Sequence, residues 1–269
     1  MKKILPFLLG AIFFVGCKPQ TETPAPVDPL VALKEKAQTI AAQQVPIEAS
    51  EVPQASVRSA TLILIADRTT TLPVYNFRYT SQNKLTGISA NEEDFWNLIV
   101  EDKQATITYS GLVGKYTLNE SGIGEKATIT YEGKSNEMHY LYKNGYWVSS
   151  YGTDGTITTR AFSKEGNLLQ WQTIDKYGSV LYNATYEYTD IPNTIRQEIN
   201  RWEAVHFAFR GDVLGKYSTH LVSKATINGI NILNFEYTKD NANRVKNISI
   251  KRTQGTFELP VALYTYTYD

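Results

Sequence analysis

Residues 111–178 read GLVGKYTLNESGIGEKATITYEGKSNEMHYLYKNGYWVSSYGTDGTITTRAFSKEGNLLQWQTIDKYG. Glycine recurs through this stretch at Gly111, Gly122, Gly133, Gly145, Gly155, Gly166 and Gly178, in steps of 11, 11, 12, 10, 11 and 12 residues. Most of these glycines follow a polar residue, among them Ser110, Ser121, Glu132, Asn144, Asp154 and Glu165. Asn144-Gly145 and Asp154-Gly155 are two-residue hairpin signals, because a type I′ turn needs positive φ at both central positions. The runs between the turns are rich in Thr, Tyr, Ile and Val, which suit a pleated surface. The stretch predicts an antiparallel meander in which each hairpin lies against the one before.

The flanking sequence extends the same sheet. Residues 61–66 (TLILIA) form a continuous apolar run, and residues 74–89 alternate with Tyr75, Phe77 and Tyr79 on one face. Asn91-Glu92-Glu93-Asp94 ahead of Phe95, Trp96, Leu98 and Ile99 predicts a short capped helix. After the ladder, residues 179–189 read as a strand. Ile195, Ile199 and Trp202 then fall at helical spacing, and residues 204–210 alternate again. Three more strand segments close the chain. The expected fold is all-β: an antiparallel meander making one large, strongly curved sheet or incomplete barrel. A short N-terminal helix and one or two brief helical insertions accompany it. About 15 strands cannot stay flat, so the sheet must curl, split or close.

The N-terminus sets the address. Lys2 and Lys3 precede an apolar run from Ile4 to Val15 that is too short to span a bilayer comfortably. It ends Phe14-Val15-Gly16-Cys17, which resembles the lipobox of bacterial lipoproteins, with Phe14 in place of the usual Leu. The resemblance implies a signal peptide at 1–16 and an acylated Cys17 as first mature residue, the other reading being an ordinary signal with a buried cysteine nearby. Cys17 is the only cysteine, so no disulfide forms within the chain. Residues 18–29 (KPQTETPAPVDP) read as an extended spacer. Residues 30–44 read as a helix with Asp28 and Pro29 at its N-cap and N1 positions and a weak apolar face, which favours a loosely docked stalk. The organisation is therefore 1–16 signal peptide, 17–45 lipidated tether and stalk, and 46–269 a single β-meander domain.

Tyr188-Thr189-Asp190-Ile191-Pro192-Asn193, Gly215-Lys216-Tyr217-Ser218-Thr219-His220-Leu221 and Tyr237-Thr238-Lys239-Asp240 with Asn243-Arg244-Val245 resemble a family of Bacteroidota lipoproteins. The domain of that family, of unknown function, is described as porin-like. The Tyr-Thr-x-Asp units are also similar to degenerate YD repeats. This resemblance implies a curved antiparallel sheet and a cell-envelope address, and it carries no catalytic residue.

Acidic and basic residues number 27 each, and removal of the signal peptide leaves 25 basic against 27 acidic. No basic run is present, so a nucleic-acid partner is not expected. Ser81-Gln82-Asn83-Lys84 fits S-x-x-K only by chance, since it sits in a turn; Gly133-Lys134-Ser135 is half a phosphate loop with no helix after it. His139, His206 and His220 have no metal-ligand spacing, so neither a metal nor a cofactor is expected. A Ser218–His220–Asp212 arrangement can be written, but such close neighbours in one loop seldom reach one another. Trp96, Trp147, Trp171 and Trp202 fit a packed core better than a sugar-stacking platform.

The expectation is a non-catalytic envelope lipoprotein, held to the outer membrane through its N-terminal lipid, whose β surface binds a protein or glycan. Alternatives are a carrier or chaperone with a curved β groove for a lipid or unfolded outer-membrane protein, and a hydrolase with an unrecognised site. A transmembrane barrel is rejected, because the 10–12-residue step, turn included, leaves short strands and the chain ends on Asp269 rather than an aromatic residue. Function should lie on the faces of the sheet or in its interruption between Asp190 and Leu221.

Overall fold

In a computed structural model the described residues are 28–53, 55, 57–64, 74–79, 85–90, 93–109, 111–196 and 213–268. Cys17, the signal segment, the spacer up to residue 27, Ser81–Lys84, most of the expected helix at 193–202 and the expected strand at 204–210 lie outside them. One helix, α1 (Pro29–Gln43), precedes β1 (Val57–Leu64), β2 (Val74–Tyr79), β3 (Leu85–Ala90), β4 (Glu93–Glu101), β5 (Gln104–Tyr109), β6 (Leu112–Leu118), β7 (Gly124–Tyr131) and β8 (Lys134–Lys143). There follow β9 (Tyr146–Gly152), β10 (Ile157–Phe162), β11 (Leu168–Ile174), β12 (Val180–Pro192), β13 (His220–Ile227), β14 (Asn231–Lys239), β15 (Val245–Gln254) and β16 (Phe257–Tyr268). Each strand pairs antiparallel with its neighbours in sequence, as the glycine ladder predicts. The first strand also pairs with the last, from Val57 opposite Tyr268 to Leu64 opposite Ala262. The hydrogen-bonded order therefore runs full circle as a barrel. Its thinnest seams have three residue pairs each and join β1 to β2 through Ser59–Asn76, Ala60–Tyr75 and Thr61–Val74, and β9 to β10 through Tyr151–Ile157, Ser150–Thr158 and Ser149–Thr159.

All seven ladder glycines have positive φ, from +74° at Gly133 to +88° at Gly155. Two kinds of turn use them. Glu132-Gly133 and Asn144-Gly145 have both residues at positive φ and make two-residue hairpins. Asp154-Gly155 differs from the two-residue reading, since only its glycine has positive φ. Asp154 instead turns its carboxylate to accept from Thr156 N at 3.0 Å, and Gly152 N donates to Thr156 O across a wider loop. The same wider loop recurs where Asn119, Asp175 or Asp240 opens the turn. The Oδ1 of Asp175 accepts from Tyr177 N and Ser179 N at 2.8 Å each, and that of Asp240 from Ala242 N and Arg244 N at 2.9 Å each. The Asp of the Tyr-Thr-x-Asp echo at 237–240 is thus a turn device.

The helix expected at 91–99 is a strand. β4 pairs with β3 and with β5, from Trp96 opposite Tyr109 to Glu101 opposite Gln104, and Trp96 and Leu98 point inward at 2% and 7% exposure. A run this apolar satisfies both periods, and pairing on both sides decides for the strand. Among the described residues α1 is the only helix, so no brief helical insertion is found there. The stalk reading of α1 is also corrected. Asp28 accepts from Leu30 N at 2.9 Å as its cap, and Ala37 is completely buried against Tyr151 and Ile157, with Leu30, Leu33 and Ile40 around it. The small Ala37 lets the helix approach the outer face of β8–β10 closely, which makes up for a weak apolar stripe.

Most inward residues of the strands are apolar and tightly packed, the buried Arg160 being an exception. Val148, Ala184, Ala225, Leu233, Ile248, Ile250 and Ala262 have no exposed surface, and Tyr116, Tyr140, Trp147, Trp171, Tyr186 and Phe235 pack with them in one cluster. A round barrel of so many strands would hold a watery lumen; here the side chains fill it. Tyr140 and Trp147 meet edge to face at 5.3 Å, and Trp147 and Trp171 at 6.0 Å. Arg160, buried to 1% exposure, lies over the rings of Trp147 at 4.9 Å and Trp171 at 5.1 Å. Outward positions are mainly polar, apart from the face under α1 (Leu141, Tyr151, Ile157 and Ile174) and exposed apolar residues such as Ile99 and Leu169. Cross-strand pairs join Lys126 with Glu137 at 2.6 Å near the start of β7 and, at mid-strand, Lys224 with Glu187 at 2.9 Å and Lys251 with Glu236 at 2.5 Å. The hydrogen bond from Lys126, then that from His139, holds the Glu137 carboxyl below its ordinary pKa.

Candidate binding pocket

One end of the barrel carries mostly short turns; the other is plugged. The plug is made by residues 44–53 and 55, arriving from α1, and by the interruption between β12 and β13, as far as it is described. Asn193, 2% exposed, anchors it: its backbone N donates to Thr219 O at 2.8 Å and its Nδ2 to Ser218 O at 2.9 Å. Ala55 N donates to Thr194 O, Glu48 N to Lys164 O, Lys216 N to Gly145 O and Gly124 N to Val213 O, each at 2.8 Å. Ile47, Ile195, Val213 and Leu214 descend from the plug into the core.

Between the plug and the rim of β3–β6 lies a pocket of about 570 Å³. Leu85, Leu98, Val100, Leu118, Ile123 and Val213 give it apolar walls, and Tyr146 and Tyr217 add aromatic ones. Glu51, Asp102, Arg196 and Lys216 supply both signs of charge at its lining. Asp102 and Arg196 have φ of +50° and +48°. At Asp102 this is turn geometry, since Asp102 and Lys103 make the two-residue hairpin between Glu101 and Gln104, as Glu132 and Asn144 do in theirs. The volume falls within the range of small-ligand sites, and apolar walls with a few polar groups are what such sites use. Among the described lining residues none is a histidine that could serve a nucleophile as base.

The structure scatters the candidate chemical residues. His139 Nε2 meets Glu137 Oε1 at 2.8 Å on the outer face and stacks on Tyr151 at 4.7 Å. His220 Nδ1 faces Thr219 Oγ1 at 3.1 Å and Asn167 Nδ2 at 3.3 Å, while Ser218 Oγ accepts from Leu168 N at 3.2 Å and meets Tyr188 Oη at 3.1 Å. Ser218 and His220 therefore have different partners, and Asp212 and His206 lie outside the described residues. Ser135 bonds Thr130 across a hairpin at 2.8 Å. Trp96, Trp147 and Trp171 are buried in the core at 2–9% exposure; Trp202 lies outside the described residues. Among the described residues no group of three His, Cys, Asp or Glu could hold a metal. The interruption between Asp190 and Leu221 does reach the pocket, through Asn193, Arg196, Val213 and residues 215–219. Sequence reasoning missed the opposite wall, whose residues lie at the ends of β3, β4 and β6; the exposed apolar Val100 at the end of β4 is the one signal for it.

A closed antiparallel ring of consecutive strands with a packed interior and one plugged end defines an up-and-down β-barrel class. Among solved structures, a porin-like protein from Bacteroides uniformis ATCC 8492 has a similar fold. The TM-score is 0.62 at 19% sequence identity, over 81% of this chain and 99% of that one. At that identity the likeness concerns the fold. No protein-family model matches the chain, and no curated protein matches it.

Proposed function

We propose that this is an outer-membrane lipoprotein, acylated at Cys17, whose barrel stands on the membrane without crossing it and acts as a non-catalytic binding module. The observation that carries this reading is the sidedness of the strands. Membrane barrels turn apolar residues to lipid and polar ones to the lumen, and Lys or Arg on the lipid face at mid-depth costs about 2–4 kcal/mol each. This barrel puts Lys224 and Lys251 with their carboxylate partners on the outside at mid-strand and Lys126 with Glu137 nearer the start of β7, with Tyr116, Tyr140, Trp147, Trp171, Tyr186 and Phe235 inside. The binding site of this reading is the plugged-end pocket, taking an apolar side chain of a partner protein or the apolar face of a glycan. A carrier would have to use the same pocket, because the inward face of the sheet is packed.

The test compares the native chain with Cys17→Ser in cells. The expected result is that the native chain incorporates labelled fatty acid and stays with membranes through alkaline carbonate washing, while the variant leaves as folded, soluble protein. A variant that remains membrane-integral would show a spanning barrel and end the proposal. For the pocket, Leu98→Trp fills the cavity and should abolish capture of a partner or glycan held by the native protein; unchanged capture would move the site elsewhere.

A further inference from the structure

The end of the barrel opposite the plug exposes apolar side chains that its fold does not require. Tyr177 is 81% exposed, Ile230 78%, Phe257 72%, and Val180 and Leu181 55% each. They lie at the β11–β12, β13–β14 and β15–β16 turns or the strand ends beside them, and β12 to β16 pair side by side, so they share one rim. Lys176 lies over the Tyr177 ring at 5.0 Å.

The path of α1 shows what this rim faces. Just past the helix's C-terminal end, the Gln44 carbonyl accepts from Lys143 Nζ and the Ile47 carbonyl from Asn144 Nδ2, both donors beside the β8–β9 turn at the plugged end. The helix of 15 residues, about 22 Å long, packs mainly on β8, β9 and β10, a strip narrower than its own length, so it lies mainly along the strands. Its cluster reaches Ile157 and Ile174, which sit at the far ends of β10 and β11. Asp28 and Pro29 therefore emerge on the side of the apolar rim. Cys17 is eleven residues before Asp28, a reach of at most about 40 Å. Bringing the plugged end to the bilayer would send the tether back along the whole helix.

We propose that the Tyr177–Ile230–Phe257 rim rests on the bilayer that holds the lipid anchor, so that the plugged-end pocket faces away from the membrane. This deepens the lipoprotein reading above and rests on acylation of Cys17. Exposed Tyr and Phe beside aliphatic groups suit the headgroup boundary, where an aromatic ring finds both apolar and wet surroundings. The rim carries acids as well as bases (Asp175 with Lys176, Glu258 with Arg252), so docking should depend little on anionic lipid.

The experiment uses the mature lipidated chain in zwitterionic phosphatidylcholine vesicles. With Cys17 blocked by acylation, a single added cysteine can be labelled with an environment-sensitive fluorophore at Ile230→Cys on the rim or Ser121→Cys at the plug. Quenching by bilayer-embedded nitroxide lipids should be several-fold stronger at 230 than at 121. Tyr177→Ser with Phe257→Ser, both exposed and thus compatible with folding, should bring quenching of the 230 label down to the level at 121. A second arm replaces the anchor: the Cys17→Ser chain with a histidine tag before residue 17, held on nickel-chelating lipids. If that arm shows rim quenching while the native chain carries no lipid, the acylation reading fails and docking stands. If both arms hold the protein to vesicles and the 230 label stays unquenched, or the 121 label is the quenched one, docking is overturned. Protection of the rim by an envelope protein extract, with no quenching by vesicles, overturns it in favour of a protein partner.

Discussion

Single residues separate backbone demands from packing demands in this barrel. Gly178 and Gly166 both sit at φ near +85°, but a Cβ on Gly178 meets nothing within 4 Å, whereas one on Gly166 runs into the Tyr146 hydroxyl and Ala49. Gly178→Ala should cost about 1 kcal/mol, the strain of left-handed backbone alone. Gly166→Ala should cost severalfold more and loosen the plug, which denaturant midpoints and hydrogen exchange at residues 44–50 would show. Equal losses would mean that the plug does not lean on that turn. Asp175→Ala removes the acceptor of two turn N–H groups and should cost about 1–2 kcal/mol by the same measurement. The buried tyrosines give a pH dependence of definite sign. Burial pushes Tyr116 up to about 12, partly offset by its hydrogen bond with Tyr140, and burial also raises Tyr140, Tyr186 and Tyr237. An unfolded chain ionises its tyrosines near pH 10, so it sheds protons that the folded chain keeps. The stabilisation is complete below pH 10 and is lost as pH rises towards 12, by about 2–3 kcal/mol for Tyr116 alone. Tyrosinate absorbance and loss of native circular dichroism should rise together in that window; ionisation of the buried rings without unfolding would contradict the packed interior.

Elements differ in how plainly the sequence announces them. The hairpins of the ladder were legible because positive φ is a local demand that glycine meets at fixed intervals, whatever the sheet does elsewhere. β4 was not, because Phe95, Trp96, Leu98 and Ile99 satisfy a helical stripe and a strand alternation alike, and Glu93 and Asp94 look like first-turn acids. The ladder hydrogen bonds to β3 and β5 that settle it come from other parts of the chain. The docking of α1 was hidden for a related reason. Its contact turns on Ala37, a residue with little hydrophobic weight of its own, which is fully buried against Tyr151 and Ile157. Ala37→Glu should therefore detach the helix by burying an unpartnered carboxylate against Tyr151, at about 2–4 kcal/mol. Limited proteolysis within residues 29–43 should accelerate while the barrel's near-ultraviolet signal persists. If the barrel melts with the helix, α1 is an integral strut of the fold.

At the scale of the molecule, both closure and pocket are long-range results that no local pattern declares. The seam between β1 and β16 joins residues about 200 positions apart, and the pocket draws Leu85, Leu98, Leu118 and Val213 from four separate places. Only the break in the meander between Asp190 and Leu221 hinted that something other than hairpins was needed at one end. Closure also makes the last strand disproportionately important. β16 has Ala262, Tyr264 and Tyr266 in the core, all at 3% exposure or less, and its main chain pairs with β15 on one side and β1 on the other. A chain ending at Gln254 would lose those side chains and expose two long edges, on β15 and β1, each offering unpaired N–H and C=O groups to a second molecule. β1 would then hold to the sheet only through its three residue pairs with β2. Such a chain should aggregate, and should not persist as a slightly smaller folded sheet. A protein lacking residues 1–43 keeps every strand pairing and should stay monomeric, with the outer face of β8–β10 newly open to solvent. Size-exclusion chromatography of the two truncations decides the point. A monomeric, native-like chain ending at Gln254 would show that the meander stands as an open sheet and that the β1–β16 seam is incidental to it.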